Sequence, residues 1–276
     1  SPLSLTDPLP IYTEKPFVVV AYSSGNHAQG VAYAAKLLGL QATIVMPTDA
    51  PSIKKEGTEK LGAAIRFYDR HSESREDIAA EIAESTGAIL IPAFDDEDII
   101  AGQGTVGLEL MQQLADIDRV PDRVLSPCGG GGLLAGVSTA VKALHPPTRI
   151  YGVEPENFDD HRRSKLAGER ISIDGNSPTL CDALMAKTPG EITWSINSET
   201  VDDYLVVSED DIAHAVSYAF RYLKLVVEPG GAAALAALLG NKLEVAGETV
   251  GLVLSGGNMD AQTLHQIGRA SCRERV

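Results

Sequence analysis

The chain has 276 residues, is 44% hydrophobic and carries a formal charge of −15, with 23 basic against 38 acidic side chains. That length holds one large domain or two small ones, and that charge disfavours nucleic acid and anionic membrane surfaces as partners. The longest apolar stretch, 232–239, is far too short to span a bilayer, and no basic start followed by an apolar run marks a signal peptide. Cys128, Cys181 and Cys272 form neither a disulfide framework nor a zinc framework, and six histidines are scattered without metal spacing, so a reducing cytoplasm is the simplest setting.

Residues 1–16 hold four prolines and little periodicity; they read either as a proline-rich arm or as a mis-joined coding segment. A strand is predicted over 17–22, a helix over 26–38 closed by Gly39, and a β-rich run over 42–46 closed by Pro47. A helix over 52–61, a strand over 64–68, an acidic-faced helix over 74–85 and a strand over 88–91 follow. The acidic loop Asp95-Asp96-Glu97-Asp98 leads into a helix over 99–114 weakened by Gly102, Gly104 and Gly107. Next come a strand over 124–126, the run Gly129-Gly130-Gly131-Gly132, a helix over 133–144 and a strand over 149–153. Beyond a loop-rich middle lie a strand over 204–207, helices over 210–223 and 231–239, and a strand over 249–254. Residues 267–276 follow neither period and resemble a translated sequencing adapter, so they are set apart from the fold.

This alternation predicts an α/β protein with parallel sheets covered by helices on both faces. The expected division is a small domain over 17–96 and a large one over 97–266 that lacks its N-terminal part. In such folds ligands bind beyond the carboxyl ends of strands, and three strand ends here carry polar or glycine-rich motifs.

The four consecutive glycines are the most informative of these. Glycines cost backbone entropy and add no packing, so four at a strand-to-helix turn suit a backbone that comes close to an anion, presenting successive N–H groups and a helix dipole. A flexible linker is the alternative, but linkers have polar flanks and these flanks are apolar. The second motif, Ser23-Ser24-Gly25-Asn26-His27-Ala28-Gln29-Gly30, reads as a carboxylate-binding loop or as a plain helix cap. In the third, Ser255 ends an apolar strand, where a hydroxyl suits a neutral ring nitrogen. Neither the dinucleotide fingerprint nor the P-loop is present.

Ser-Ser-Gly-Asn-His-Ala-Gln-Gly, Pro-Cys-Gly-Gly-Gly-Gly-Leu-Leu-Ala-Gly, Val-Glu-Pro-Glu-Asn and Leu-Ser-Gly-Gly-Asn stand in this order over residues 17–265. The ordered set resembles the serine/threonine dehydratases and serine racemases, pyridoxal-phosphate enzymes of the tryptophan-synthase-β-like fold, type II. The resemblance implies two three-layer, parallel-sheet domains. It implies that Asn26 contacts the phenolic oxygen of pyridoxal phosphate, that Gly129, Gly130, Gly131, Gly132 and the Leu133 amide hold its phosphate, and that Ser255 meets the pyridine nitrogen. A neutral partner there leaves the ring unprotonated, which suits β-elimination. Ser23, Ser24, Asn26 and His27 would receive the substrate carboxylate, and Ser24 matches the acid/base serine of racemase members.

Glu154, Phe158 and Asp160 match a segment that holds a divalent cation in several members, Mg²⁺ or Ca²⁺, with the carbonyl of Phe158 between two carboxylates; on residues alone the loop is a solvated turn. Glu228, in a segment shared with Lys224, is either near the cofactor ring or in a helix-edge ion pair. Cys128 reads as a small buried filler, and Trp194, Tyr218 and Tyr222 read as packing.

The implied activity is deamination of L-threonine or L-serine to a 2-oxo acid and ammonia. Serine racemization and 3-hydroxyaspartate elimination are the nearest alternatives, and a non-catalytic phosphate-binding fragment is an alternative of another class. A homodimer and an ATP effector are family expectations. The family's Schiff-base lysine lies in a Ser-Phe-Lys-x-Arg-Gly-Ala motif that these residues do not contain. Lys15, in the proline-containing arm, does not match it. The chain is therefore expected to be truncated at both ends and inactive by itself.

Overall fold

The structure, a computed structural model, describes residues 18–23, 25–69 and 71–273, with side chains described to residue 268. It divides into two compact units, the first from residues up to Ala50 and Lys55–Ile91, the second from Pro51–Lys54 and Pro92 onward.

The first unit is built from β1 (Val18–Tyr22), α1 (Asn26–Leu38), β2 (Gln41–Pro47), most of α2 (Ser52–Lys60), β3 (Ala64–Tyr68), α3 (Arg75–Thr86) and β4 (Ile89–Ile91). Its sheet has the order β3-β2-β1-β4 and every pair is parallel. Successive residues of a strand face opposite sides, and the core divides accordingly. Val19 and Ala21 of β1 pack with Ala28, Ala32 and Ala35 of α1, while Val20 packs with Ala79 of α3 on the other face.

The second unit contains α4 (Glu97–Ala115), β5 (Arg123–Pro127), α5 (Gly132–Leu144), β6 (Arg149–Pro155), α6 (Asp160–Ala167), α7 (Glu191–Thr200) and β7 (Asp203–Val207). After these come α8 (Glu209–Tyr218), α9 (Ala233–Leu239), β8 (Val250–Leu252) and α10 (Ala261–Arg273). The sheet order is β7-β6-β5-β8, again all parallel. Leu125 of β5 and Val153 of β6 face α8 and α9, whereas Val124 and Ile150 face Leu134, Val137 and Val141 of α5. Each unit is thus a three-layer α/β sandwich, as the alternation predicts.

The glycines that weaken the helix over 99–114 have a packing reason. A Cβ on Gly107 would stand 2.8 Å from the Val137 carbonyl, and one on Gly136 would meet the Ile100 carbonyl and stand 2.5 Å from the Gly104 nitrogen. The backbones of α4 and α5 touch, and only hydrogen fits between them.

Five elements depart from the sequence reading. The loop-rich middle contains α6 and α7. The helix predicted over 210–223 is α-helical only to Tyr218 and ends in a π-turn, Ala219–Leu223, closed by Lys224 at φ +61°. The strand predicted to reach Leu254 stops at Leu252, so Ser255 lies three residues past it and is exposed. Finally, α10 continues through Arg273, across a segment read as having no helical period, because Ile267 is buried against the α8–α9 core. Among the described residues no helix is long and apolar enough to cross a membrane.

Candidate cofactor site

In the second unit the glycine run sits at the turn from β5 into α5, with Gly131 as the N-cap at φ +97°. This helix start has no side-chain cap and no acid in its first turn, unlike α3, α4 and α8, which have both. The first amides of any helix lack intrahelical partners. Among the described residues, no backbone hydrogen bond outside helices and strands is donated by the amides of residues 129–134. The carbonyls, in contrast, are tied down by α7: Thr193 Oγ1 donates to the Gly130 carbonyl at 2.8 Å and Asn197 Nδ2 to that of Gly131 at 3.2 Å. A row of amides with its carbonyls fixed elsewhere suits a multiply charged oxyanion, and the phosphate of pyridoxal phosphate fits that description.

The loop is backed on three sides. A Cβ on Gly130 would run into the Phe94 ring, one on Gly132 would stand 2.9 Å from Phe94 Cβ, and one on Gly129 would stand 3.2 Å from Leu184 Cα. Behind Gly131 lie His161 and Asn197. His161 is stacked on Tyr204, with ring centroids 5.5 Å apart. Burial pulls its imidazole down to about 4 against a smaller raising effect of the Gly130 carbonyl, so the ring is neutral at pH 7.

α7 owes its position to Asp95, whose carboxylate accepts from the amides of Glu191, Ile192 and Thr193 at 2.8, 2.8 and 3.1 Å. Its own N-cap residue, Gly190, supplies no side chain. Asp95→Ala is expected to cost about 1–2 kcal/mol, as for loss of a helix cap, with Asp95→Asn costing less; chemical denaturation measures both. Equal stability of the alanine variant would contradict this capping role.

α6 is positioned by a remote carboxylate too. Glu154, fully buried, accepts from the amides of His161 and Arg162, both at 2.9 Å. Burial first, then the neighbouring Asp160 and Asp159, raise its pKa well above the usual carboxylate value against those two hydrogen bonds. Asp160 is buried, neither carboxylate oxygen has a hydrogen-bond partner of good geometry among the described residues, and burial raises its pKa to about 7 against the pull of its own backbone amide. Phe158 is buried too. Among the described residues no cluster of three or more His, Cys, Asp or Glu has metal-binding geometry. Cys128 is buried and its thiol is pushed well up, chiefly by burial, as expected for an inert filler.

Ser255 is exposed, and its amide donates to the Gly231 carbonyl at 3.4 Å. Glu228 is buried and ion-paired with Lys54 at 3.1 Å. Sequence reasoning missed Phe94, Asp95, His161, Thr193 and Asn197, which hold the glycine loop from behind. Their only signal in the sequence was the acidic run after Phe94.

In the first unit, Ser23 follows β1 and its hydroxyl accepts from the Gly25 amide at 3.1 Å, while the Ser23 amide donates to Val45. α1 begins at Asn26 with no side-chain cap and no acid in its first turn. His27 Nε2 pairs with the Ile91 carbonyl at 3.2 Å, and burial lowers its pKa. Ser24 lies outside the described residues.

Two parallel three-layer units, one with an uncapped glycine turn at a strand end that suits an oxyanion, define an α/β protein of the parallel-sheet class. Residues 11–256 match the family model described as pyridoxal-phosphate dependent enzyme. An L-threo-3-hydroxyaspartate ammonia-lyase from Pseudomonas sp is 43% identical over 244 residues, 88% of this chain and 75% of the relative. A solved threonine deaminase from T.th. is 47% identical with a TM-score of 0.83, covering 90% of this chain and 80% of that one. Maize serine racemase is 41% identical with a TM-score of 0.82, over 93% and 78%. The chain belongs to the pyridoxal-phosphate-dependent enzymes, in the branch of ammonia-lyases and racemases.

Proposed function

We propose that this chain carries the cofactor and substrate contacts of an ammonia-lyase that converts L-threonine or L-serine to a 2-oxo acid and ammonia. The observation that carries the reading is the uncapped α5 start, whose carbonyls are tied down by Thr193 and Asn197 while its amides meet no backbone acceptor among the described residues. In this reading the amides of Gly129, Gly130, Gly131, Gly132 and Leu133 hold the cofactor phosphate. Asn26 donates to the phenolic oxygen and the Ser255 hydroxyl meets the pyridine nitrogen. Ser23, Ser24, Asn26 and His27 receive the substrate carboxylate. When bound, pyridoxal phosphate supplies the electron sink for charge left on the substrate Cα after its proton departs.

These 276 residues contain no match to the lysine that tethers the cofactor aldehyde and moves that proton. The chain is therefore proposed to bind pyridoxal phosphate weakly and not to turn over. Fluorescence titration with pyridoxal phosphate, then borohydride reduction and peptide mapping, tests both halves. Saturable binding without a pyridoxyl-lysine is expected; a labelled lysine or 2-oxo acid production overturns the inactivity. Stoichiometric ATP binding with no affinity for pyridoxal phosphate would replace the reading by a nucleotide-binding one.

The relatives named as hydroxyaspartate lyase and serine racemase keep two further substrate assignments in view. Parallel chiral-serine and 2-oxo-acid assays on a chain carrying the lysine segment separate them, with Ser24 as the acid/base for racemization.

Glu154, the Phe158 carbonyl and Asp160 are proposed to take Mg²⁺ or Ca²⁺, supported by the two buried Asp160 oxygens that make no hydrogen bond. Either ion at a hundredfold excess over its Kd is expected to stabilise the chain by about 2.7 kcal/mol, and Asp160→Asn to abolish that gain. A melting temperature indifferent to both ions would refute the assignment.

A further inference from the structure

We propose that Lys54 is a positioning residue of the cofactor site, its ammonium tying the turn that walls the glycine cradle to the loop that holds Ser255 and Gly256. Lys54, Asp182 and Glu228 all belong to the second unit. Lys54 Nζ donates to both carboxylate oxygens of Asp182, at 2.9 and 2.7 Å, and is ion-paired with Glu228 Oε2 at 3.1 Å. The Lys54 and Glu228 side chains are 2% and 1% exposed, and Asp182 is 33% exposed.

Each carboxylate belongs to a different loop of the site. Asp182 opens the single turn Asp182–Leu184, whose Leu184 Cα and Ala183 carbonyl stand 3.2 and 3.3 Å from the place a Gly129 Cβ would occupy. That turn forms the wall of the cradle at Gly129. Glu228 begins the other loop: its amide donates to the Gly256 carbonyl at 3.0 Å, and the Gly231 carbonyl three residues on accepts from Ser255. That loop therefore carries Ser255 and Gly256. One cation spans both loops, and without it the half-buried Asp182 and the buried Glu228 carboxylates would repel each other.

Lys54 is not a substitute for the missing tethering amine. Burial alone would lower its pKa, but Asp182 and Glu228 more than offset that and raise it, so it stays a saturated ammonium. An amine nucleophile needs the opposite, a lowered pKa and a free lone pair.

This inference rests on the phosphate reading of the glycine loop, and its test separates the two. The 276-residue chain is titrated with pyridoxine phosphate, which has no aldehyde to react with any lysine, and followed by ligand fluorescence and phosphorus NMR. Lys54→Met is expected to weaken binding by at least about tenfold and to move the bound phosphorus resonance, and Lys54→Arg to recover most of the affinity. The triple variant Lys54→Met, Asp182→Asn, Glu228→Gln removes the carboxylate charges together with the ammonium. It is expected to recover thermal stability without recovering affinity, which a purely structural role would not produce. Wild-type affinity and phosphorus shift in the single or the triple variant overturn the positioning role. If the unmodified chain does not bind pyridoxine phosphate, the phosphate reading itself falls, and this inference with it.

Discussion

Gly131→Ala is expected to abolish pyridoxal-phosphate binding and to destabilise the second unit by about 2–5 kcal/mol, combining left-handed strain with overpacking. Gly131 sits at φ +97°, a conformation that an L side chain rarely adopts. Its new Cβ would stand 2.7 Å from Cε1 and Nε2 of His161 and 2.8 Å from Asn197 Nδ2. Neither neighbour can retreat cheaply. His161 is stacked on Tyr204, and Asn197 holds the Gly131 carbonyl. Relief must come from rotation of the Gly131 peptide, which re-aims the amides proposed to receive the phosphate. Gly129→Ala makes an informative comparison, because its nearest contacts lie at 3.2–3.4 Å and its φ is not in the left-handed region. Thermal melts and pyridoxal-phosphate titrations of the two variants should therefore differ sharply. Retained phosphate affinity in Gly131→Ala would show that the loop is not the anion cradle.

Gly136→Val should damage the fold rather than the chemistry. The α4 and α5 backbones meet at this residue, where a Cβ would collide with the Ile100 carbonyl, stand 2.5 Å from the Gly104 nitrogen and stand 2.8 Å from the Gln103 carbonyl carbon. All three neighbours are backbone, so no rotamer change relieves the clash, and α4 must move off α5. The expected cost is about 3 kcal/mol, a Tm lower by roughly 6–12 °C in a unit of this size. Since α5 also carries the cradle, phosphate affinity should fall as a consequence of its displacement. Gly102→Ala on the facing helix α4 meets nothing within 4 Å and should be neutral or slightly stabilising, as expected for Gly to Ala in a helix. A Gly136→Val protein that melts with the wild type would mean that the two helices are not in backbone contact.

The alternation of strands and helices, the parallel three-layer class and the position of the glycine turn were all legible in the chain. Each rests on local signals: period-2 and period-3.6 apolar patterns, and glycines in a run that no packing pattern needs. Two helices of the middle segment were not legible, for a shared reason. A helix start is recognised by a capping residue beside it, yet α7 is capped by Asp95, 96 to 98 residues away in sequence. The α6 amides are received by Glu154, seven and eight residues upstream at the end of β6. α10 differs: Asp260 stands beside its start and accepts from the Thr263 amide at 2.8 Å, and what the chain did not reveal was the burial of Ile267 against α8 and α9.

What the sequence determined alone was the family: four glycines at a strand-to-helix turn, and the motifs around Asn26 and Ser255 in a recognisable order. The tertiary structure decided what holds that cradle in shape. Phe94, His161, Thr193, Asn197 and Leu184 come from distant parts of the second unit to fill the space behind the glycines, and Lys54 bridges Asp182 to Glu228 across 128 positions of chain in the first of those pairs. Such partners leave no local trace, because a hydrogen bond or a close packing contact requires proximity in space and is indifferent to separation along the chain.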